Sequence, residues 1–202
     1  MNYKDIFKRN VPGSVDVLEK ATIGLAGCGG LGSNAAVMLA RAGVGKLILA
    51  DFDRVEVSNL NRQHFFINDI GKYKVDAIQE YIVNINPGIC LELVRKRLEP
   101  DDIPVIFGSA DVLIEAFDTA QSKKWLVEKW CTVLPNIPII CASGISGTGR
   151  SEDIKISKAG NLYMVGDQST NADMGLCSSR VVIASAIQAN LAIELILKKS
   201  GI

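Results

Sequence analysis

The sequence carries no net charge, a single histidine and no closely spaced pair of cysteines. Because 22 basic residues balance 22 acidic residues, no overall field attracts nucleic acid or an anionic membrane, and we expect neither as a partner. The cysteines are odd in number and form no C-x-x-C pair, which argues against a disulfide framework and a cysteine zinc site, so we expect no structural zinc. They are Cys28, Cys90, Cys131, Cys141 and Cys177.

Segments that would direct the chain to a membrane are also missing. The N-terminal residues contain no apolar signal core, and the most apolar late stretch, residues 181–197, is interrupted by Gln188, Asn190 and Glu194. These polar residues make the stretch too polar to span a bilayer, so we expect a cytoplasmic protein. With 202 residues, 48% of them apolar, the whole chain 1–202 is expected to fold as one domain.

Strand-like and helix-like segments alternate along the chain, which is the pattern of an α/β fold with a doubly wound, Rossmann-like and mostly parallel sheet. The predicted strands are residues 22–26, 46–50, 91–94, 112–116 and 139–142. The predicted helices are a short N-terminal one, a second near 15–20, and longer ones at 31–42, 73–85, 120–134 and 180–198. Near the C-terminus, the pattern predicts an antiparallel hairpin over residues 153–166, turned at Ala159 and Gly160.

A glycine-rich segment follows the first predicted strand. Gly27, Gly29 and Gly32 have the G-x-G-x-x-G spacing, which permits a tight turn and lets a phosphate approach the amides at a helix N-terminus. Asp51 lies 19 residues after Gly32, where a carboxylate binds the ribose hydroxyls of either NAD or ATP. The pattern of a P-loop ATPase is absent, because Ser33 follows Gly32 in place of lysine. The loop therefore predicts a nucleotide without identifying it.

The next segment favours ATP over NAD. It comprises residues 51–63, D-F-D-R-V-E-V-S-N-L-N-R-Q. It places Asn59 and Arg62 shortly after the second strand, and Lys74 follows. Ligands bind at the carboxyl edge of such a sheet, so two cations and an amide converge there on a chain of phosphates. A triphosphate needs this positive charge, whereas a dehydrogenase has no use for it. The alternative interpretation is a solvated polar loop.

Together, these motifs resemble those of the ThiF/MoeB/HesA adenylyltransferases, which are related to the ubiquitin-activating enzymes. The resemblance rests on G-C-G-G-L-G-S at 27–33, the 51–63 segment, G-x-x-K at 71–74 and A-F-D-T at 116–119. The chain is most similar to a short, zinc-free ThiF. The resemblance implies an enzyme that binds ATP and Mg²⁺. Such an enzyme joins AMP to the C-terminal carboxylate of a small ubiquitin-fold sulfur carrier protein ending in Gly-Gly.

The resemblance also implies a role for each matching residue. Asp51 would bind the ribose, Asp118 would hold Mg²⁺, and Arg9 would reach the site of the neighbouring subunit in a homodimer. Catalysis would depend on Arg62, Lys74, Asp118 and Arg9. The implied nucleotide-binding residues are Gly27, Gly29, Gly30, Gly32, Asp51, Asp53, Asn59, Arg62, Gln63 and Lys74.

The chemistry of adenylylation explains these residue types. A carboxylate attacks an α-phosphate that is itself anionic, and the departing pyrophosphate gathers further charge, so fixed cations and a metal lower the barrier. The attacking group is already ionised at neutral pH, since a C-terminal carboxyl has a pKa of roughly 3.5. No general base is needed, and the only histidine, His64, is assigned no role.

The sequence leaves two interpretations open for each of three features: Asp118, Cys177 and the closing helix. Asp118, at the end of an apolar strand, either meets a metal or donor that offsets its desolvation or caps the next helix, and Glu115 in the same strand competes for the metal. Cys177, expected just before the closing helix, is either a possible reactive thiol or a small buried cysteine. The closing helix is apolar around most of its circumference, which favours a homodimer over burial within its own subunit.

We therefore expect an adenylyltransferase for a Gly-Gly-ended sulfur carrier, with thiamin (thiazole) biosynthesis preferred over the molybdopterin pathway. A second enzyme alternative activates a carboxylate on modified tRNA, although nothing basic in the sequence indicates RNA binding. From a different class, the chain is a nucleotide-binding module without catalysis. An NAD dehydrogenase ranks third among the alternatives, because no acid or base for hydride transfer accompanies the glycine loop.

Overall fold

The computed structural model describes residues 3–202, apart from the side chain of Ala172. Within that range the strands are β1 (Thr22–Ala26), β2 (Lys46–Ala50), β3 (Cys90–Val94), β4 (Val112–Glu115), β5 (Ile139–Ala142), β6 (Lys155–Ala159) and β7 (Leu162–Gly166). They join one sheet in the order β3-β2-β1-β4-β5-β7-β6. Neighbouring strands are parallel except for the β6–β7 hairpin, which is antiparallel. The predicted fold class is therefore confirmed.

The helices are α1 (Ser14–Leu18), α2 (Gly30–Ala42), α3 (Lys74–Ile85), α4 (Asp102–Phe107), α5 (Ala120–Val133) and α6 (Ser178–Lys199). The first N-terminal helix is a 3-10 helix, Tyr3–Phe7, and the hairpin turns at Gly160 and Asn161, one residue later than predicted. The sequence pattern misses α4, because its six residues contain Pro104 and are too few to show a period. Other predicted bounds equal the observed ones or differ from them by one or two residues.

Helices cover both faces of the sheet. On one face, α2, α3 and α6 bury residues such as Leu39, Ile78 and Ala192 against the strands. On the other face, α4 and α5 bury Phe107 and Trp130. Each fully buried large apolar side chain contributes about 1.5–3 kcal/mol of hydrophobic stabilisation. Burial on both faces also explains why the central strands are nearly continuous apolar runs rather than alternating ones.

The closing helix α6 is, by length and composition alone, apolar enough to cross a membrane. In the structure it packs against α2 and the sheet, where its polar groups find partners. Ser185 Oγ donates to the Leu31 carbonyl at 2.8 Å, and Gln188 Nε2 lies 3.3 Å from the carbonyls of Glu115 and Ile140. Nine of the 22 residues of α6 are buried within the subunit, which accounts for part of the apolar circumference that, in the sequence, favours a homodimer.

The carboxyl ends of β1, β2 and β4 meet at one edge of the sheet. Ala26 of β1 is in register with Ala50 of β2 on one side and with Glu115 of β4 on the other. The segments that follow these three strands therefore begin at the same level. This is the switch point of the strand order, where ligands bind in doubly wound folds.

Candidate active site

The glycine loop connects β1 to α2 and is shaped by close backbone approaches. Gly27 has a φ of 104°, and a Cβ there would lie 2.7 Å from the Ala116 carbonyl oxygen. A Cβ on Gly32 would lie only 1.9 Å from the Gly27 carbonyl oxygen. Glycine is therefore required at both positions by the protein itself. The resulting turn places the amides of the first turn of α2 at the edge of the sheet, where they are available to a phosphate.

Asp51 connects this loop to the end of β2. Its Oδ2 accepts from the Cys28 amide at 2.7 Å and its Oδ1 accepts from the Asp53 amide at 2.8 Å. Burial raises the pKa of Asp51, while the nearby Lys74 ammonium and the two amide donors oppose this shift. A carboxylate has about four lone-pair sites, so two remain for ribose hydroxyls. The position is the one predicted for a ribose-binding carboxylate.

Lys74 begins α3 and carries a buried ammonium group. Its Nζ lies 2.8 Å from Asp53 Oδ2, and its side chain is 8% exposed while that of Asp53 is 44% exposed. The Asp53 amide donates to Asp51, and Asp51 also accepts from the Cys28 amide, so a chain of contacts connects the ammonium to the glycine loop. The pair with Asp53 holds a cation at the carboxyl edge of the sheet.

The segment from Asn59 to His64 packs on the first turn of α2. Asn34 Nδ2 donates to the Arg62 carbonyl at 2.9 Å, and the His64 amide donates to Ser33 Oγ at 3.0 Å. The Asn59 side chain closes its own turn, because its Oδ1 accepts from the Glu56 amide at 3.1 Å. Asn59 therefore stabilises the conformation of its own loop, in addition to the phosphate contact predicted for it.

The aliphatic part of the Arg62 side chain and the side-chain amide of Gln63 lie against the glycine loop. A Cβ on Gly30 would lie 3.5 Å from Arg62 Cγ, and a Cβ on Gly29 would lie 3.7 Å from Gln63 Nε2. The Arg62 guanidinium donates to Asn61 Oδ1 at 2.7 Å. Gln63 is buried, and its Oε1 finds no hydrogen-bond partner within residues 3–202. The structure thus brings Arg62, Gln63, Asp51 and Lys74 to one loop.

Asp118 lies in the turn between β4 and α5, which is also adjacent to the glycine loop. The Ala116 amide donates to the Ala26 carbonyl at 2.9 Å, so the turn leaves the sheet beside Gly27. The side chain of Asp118 is exposed, and the desolvation cost predicted for it does not arise. The capping alternative is wrong, because Thr119 caps α5 by accepting from the Ser122 amide at 3.2 Å. The Asp118 carboxylate remains directed to solvent.

Glu115, the alternative metal ligand, is instead fully buried and already has partners. Lys123 Nζ lies 3.0 Å from both carboxylate oxygens, and the Phe117 amide donates to Oε1 at 2.7 Å. Burial raises its pKa, and Lys123 and the amides oppose this shift. Glu115 is therefore unsuited to bind Mg²⁺ from solution. Sequence reasoning missed Lys123, since no local pattern links it to a strand residue eight positions earlier.

The donor set suits Mg²⁺ better than a metal held by protein alone. In the part of the chain that the structure describes, no three His, Cys, Asp or Glu side chains are grouped to hold a metal ion. Mg²⁺ is commonly bound by one or two carboxylates together with substrate phosphates and waters. An exposed Asp118 at the edge of a phosphate-binding loop fits that requirement.

Arg9 is not brought to the glycine loop of its own chain. It is exposed, and the neighbouring Asn10 donates through Nδ2 to the Ala42 carbonyl at 3.0 Å, at the C-terminal end of α2. The glycine loop lies at the other end of this 13-residue helix. At about 1.5 Å per residue, the two ends are roughly 20 Å apart.

Cys177 is the N-cap residue of α6 and is partly exposed, so the interpretation as a buried cysteine is wrong. Its Sγ lies 3.2 Å from Ser179 Oγ. This hydrogen bond and the amides of Ser179 and Arg180 lower the pKa of the thiol. Asn61 Nδ2 lies 3.4 Å from the Leu176 carbonyl, which connects the Cys177 segment to that of Arg62.

Comparison with known proteins agrees with this arrangement. The ThiF family model matches residues 5–201. The chain is 38% identical over 125 residues to the sulfur carrier protein ThiS adenylyltransferase of Escherichia coli, a match that covers 61% of this chain and 49% of that protein. It is 37% identical over 134 residues to the adenylyltransferase and sulfurtransferase uba4 of Aspergillus niger, covering 66% of this chain and 27% of that protein. The chain thus spans about half or less of the length of these curated relatives.

The fold is also found in a solved structure. The E. coli tRNA N6-threonylcarbamoyladenosine dehydratase TcdA, in complex with ATP, matches with a TM-score of 0.87 and 22% identity, covering 98% of this chain and 95% of that one. At this identity the likeness concerns the fold alone. The family model, in contrast, extends over nearly the whole sequence and includes every motif at the nucleotide edge. The chain belongs to the ThiF family.

Proposed function

We propose that the chain binds ATP with Mg²⁺ and transfers AMP to the C-terminal carboxylate of a small ubiquitin-fold sulfur carrier protein ending in Gly-Gly. Membership of the ThiF family supports this, as do the names of the two similar proteins, both adenylyltransferases. The observation that carries the proposal is the placement of two cations, Arg62 and Lys74, beside one glycine loop.

The chain's own residues supply binding and charge. The loop amides and Asp51 hold the nucleotide, and Arg62 and Lys74 stabilise the charge that develops as pyrophosphate departs. An arginine in such a role is worth about 10³-fold or more in rate. Mg²⁺ held by Asp118 would neutralise phosphate oxygens. Lys74 exchanges Asp53 for a phosphate at little cost, since ion pairs with an exposed partner contribute about 1 kcal/mol or less.

We further propose that the carrier protein belongs to thiamin biosynthesis. Similarity to the ThiS adenylyltransferase of E. coli supports it, but the identity to uba4 of A. niger is nearly equal, so identity does not separate the pathways. The preference rests on the resemblance to a short, zinc-free ThiF. A carrier of the molybdopterin pathway and a modified tRNA carboxylate are the competing substrates.

We further propose that the protein acts in the cytoplasm as a homodimer in which Arg9 serves the neighbouring site. The exposure of Arg9 and its distance from its own glycine loop support this, because only a second copy can bring it to such a loop. A sedimentation measurement that finds only monomers at working concentrations would contradict the dimer.

Cys177 is the thiol we propose to take over the activated carboxylate. The thiolate would attack the acyl carbon, a C–S bond would form, and AMP would leave as the C–O bond to its phosphate breaks. Partial exposure, a lowered pKa and the link to the Arg62 segment support this role. Cys177→Ser is then expected to keep pyrophosphate exchange and to lose a thioester detectable by mass spectrometry.

Exchange of labelled pyrophosphate into ATP tests the main proposal. We expect exchange in the parent only with a Gly-Gly-ended carrier, and a loss of about 100-fold or more in Arg62→Ala and in Asp118→Ala. Asp101→Ala is the control, since the Asp101 side chain is 97% exposed.

Each other outcome has a distinct meaning. Exchange that survives both substitutions refutes the residue roles, and exchange driven by modified tRNA instead of a carrier favours the tRNA alternative. No exchange with any such substrate favours a binding module without catalysis. Tight NAD binding with weak ATP binding favours a dehydrogenase.

A further inference from the structure

A buried ion pair lies directly below the turn that carries Asp118. Glu115 ends β4 with a side chain that is fully buried, and Lys123, in the first turns of α5, has a side chain that is 25% exposed. The ammonium nitrogen lies 3.0 Å from each carboxylate oxygen, so one cation spans the whole carboxylate. This pair belongs to none of the motifs that predict the nucleotide site.

The pair connects both ends of the Asp118 turn. On the strand side, Glu115 Oε1 accepts from the Phe117 amide at 2.7 Å, which fixes the backbone one residue before Asp118. On the helix side, Lys123 lies five positions after Asp118, so its ion pair connects the start of α5 to the end of β4. The amide of Ala142, at the end of β5, also stabilises the Glu115 carboxylate. The direction in which Asp118 leaves the sheet is thus determined by one buried charge and its partners.

Lys123 is itself unavailable to a phosphate. Both oxygens of a fully buried carboxylate hold its ammonium, and removing it would leave that charge without a counterion. The cations that face the glycine loop are different in kind, since Arg62 is bound to a carbonyl and an amide oxygen and Lys74 to a half-exposed carboxylate. The position of Lys123 therefore suits support of a neighbouring ligand rather than contact with the nucleotide.

We propose that Glu115 and Lys123 are positioning residues that set the place of Asp118 and thereby the affinity for Mg²⁺ in the nucleotide complex. This inference rests on the proposed function, because Asp118 is the metal ligand only if the chain binds Mg·ATP. Groups that orient a metal ligand typically change metal affinity by about 10–100-fold when they are removed.

Two measurements on four variants test the inference. The variants are Lys123→Met, Lys123→Arg, the double variant Glu115→Gln/Lys123→Met, and Lys124→Met as control, since Lys124 is 70% exposed. The first measurement is hydrogen exchange at the Phe117 amide without nucleotide. The second is calorimetric ATP binding, with Mg²⁺ titrated from zero.

We expect Lys123→Met to speed exchange at Phe117 and to raise the Mg²⁺ concentration for half-maximal effect about 10-fold or more, with metal-free ATP affinity unchanged. The double variant should restore both quantities to within about threefold, because the amide of Glu115→Gln still accepts from Phe117 and no buried charge is left unpaired. Lys123→Arg should keep most of the parent's Mg²⁺ dependence, and Lys124→Met all of it.

Three results would overturn the inference. One is an unchanged Mg²⁺ dependence in a folded Lys123→Met variant. Another is a double variant as impaired as the single one, because Lys123 would then act on the nucleotide directly. The third is equal exchange at Phe117 in parent and Lys123→Met. If Lys123→Met does not fold, Lys123→Arg and the double variant decide, because faster exchange at Phe117 without a matching rise in the Mg²⁺ requirement in either one would overturn the inference.

A failure of the proposed function would be distinguishable from a failure of this inference. A parent chain that binds no ATP with or without Mg²⁺ refutes that function. Exchange at Phe117 then still decides whether the ion pair positions the turn.

Discussion

Two regions at the carboxyl edge of the sheet are built in different ways. The glycine loop and the 51–74 segment are held by hydrogen bonds between motif residues, such as those of Asp51 with the amides of Cys28 and Asp53. The 143–177 region has long irregular connections, and one buried guanidinium organises them. The nucleotide region is thus held by several backbone amides and motif side chains, whereas the second region depends on one buried ion pair.

Arg180 is that guanidinium. It lies in the first turn of α6, pairs with Asp167 at 2.5 Å, and donates to the carbonyls of Gly149, Arg150 and Gly144. Its side chain is 4% exposed and that of Asp167 is 3% exposed. Asp167 in turn accepts from the amides of Ser169 and Thr170. Three chain segments are therefore fixed by one side chain.

The largest effect should follow from breaking this pair. Arg180→Met leaves the Asp167 carboxylate buried without its cation, and we expect a loss of about 3–5 kcal/mol in the free energy of unfolding. Urea unfolding measures it. Arg150→Met is the matched control, since that arginine is exposed and its pair with Asp153 should contribute about 1 kcal/mol or less. Equal losses in the two variants would contradict the comparison.

The nucleotide region should lose function rather than stability. Lys74→Met removes the ammonium beside the glycine loop but leaves only a half-exposed Asp53 unpaired. We expect pyrophosphate exchange to fall about 10²–10³-fold, with the urea midpoint shifted far less than in Arg180→Met. Lys72→Met is the control, because Lys72 pairs with Glu80 and Asp69 away from the loop. A similar loss of exchange in Lys72→Met would refute the role of Lys74.

Acid should change the contributions of the two regions to the free energy of unfolding in opposite directions. Hydrogen bonds from Thr170 and Ser169 hold the pKa of Asp167 well below its usual range, so this carboxylate stabilises the fold above its unfolded pKa of 3.8 and less as pH falls below it. Burial raises the pKa of Asp51, so protonation there favours the fold as pH falls through the raised value.

Unfolding free energies between pH 7 and 3 check this difference. The unfolding free energy of the parent should exceed that of Asp167→Asn by less as pH falls. Relative to Asp51→Asn, in contrast, the unfolding free energy of the parent should rise as pH falls. The same direction for both variants would show that the two carboxylates do not differ in this way.

The smallest effect is expected where the two regions meet. Asn61→Ala removes the long hydrogen bond to the Leu176 carbonyl and one acceptor of the Arg62 guanidinium. We expect a loss of stability of about 1 kcal/mol or less and a fewfold weaker exchange. A loss as large as that of Arg180→Met would mean that the regions are one cooperative unit.

What could be predicted from the sequence follows the same division. Gly27, Gly32 and Asp51 were recognisable because turn sterics and a strand end fix their chemistry within a few residues. The pairs Arg180–Asp167 and Glu115–Lys123 were not, since each depends on where a helix docks on the sheet. A buried charge gives no periodic signal from which its partner can be read.

Two other expectations depended on solvent exposure, which a sequence shows poorly. Asp118 follows an apolar strand but emerges into solvent, and Thr119 takes the cap that Asp118 was able to supply. Cys177 follows a loop and occupies the N-cap position of α6 instead of being buried. In both cases the residue lies just outside a buried element, where its side chain reaches solvent.

Arg62 and Lys74 are the residues that we propose to stabilise the phosphates of ATP at the glycine loop. Calorimetric titration of the parent and of the Arg62→Ala/Lys74→Ala variant with Mg·ATP and with AMP tests it most directly. We expect the parent to bind Mg·ATP at least tenfold (about 1.4 kcal/mol) more tightly than AMP, and the variant to lose this preference while still binding AMP. Equal preference for Mg·ATP in parent and variant would contradict it.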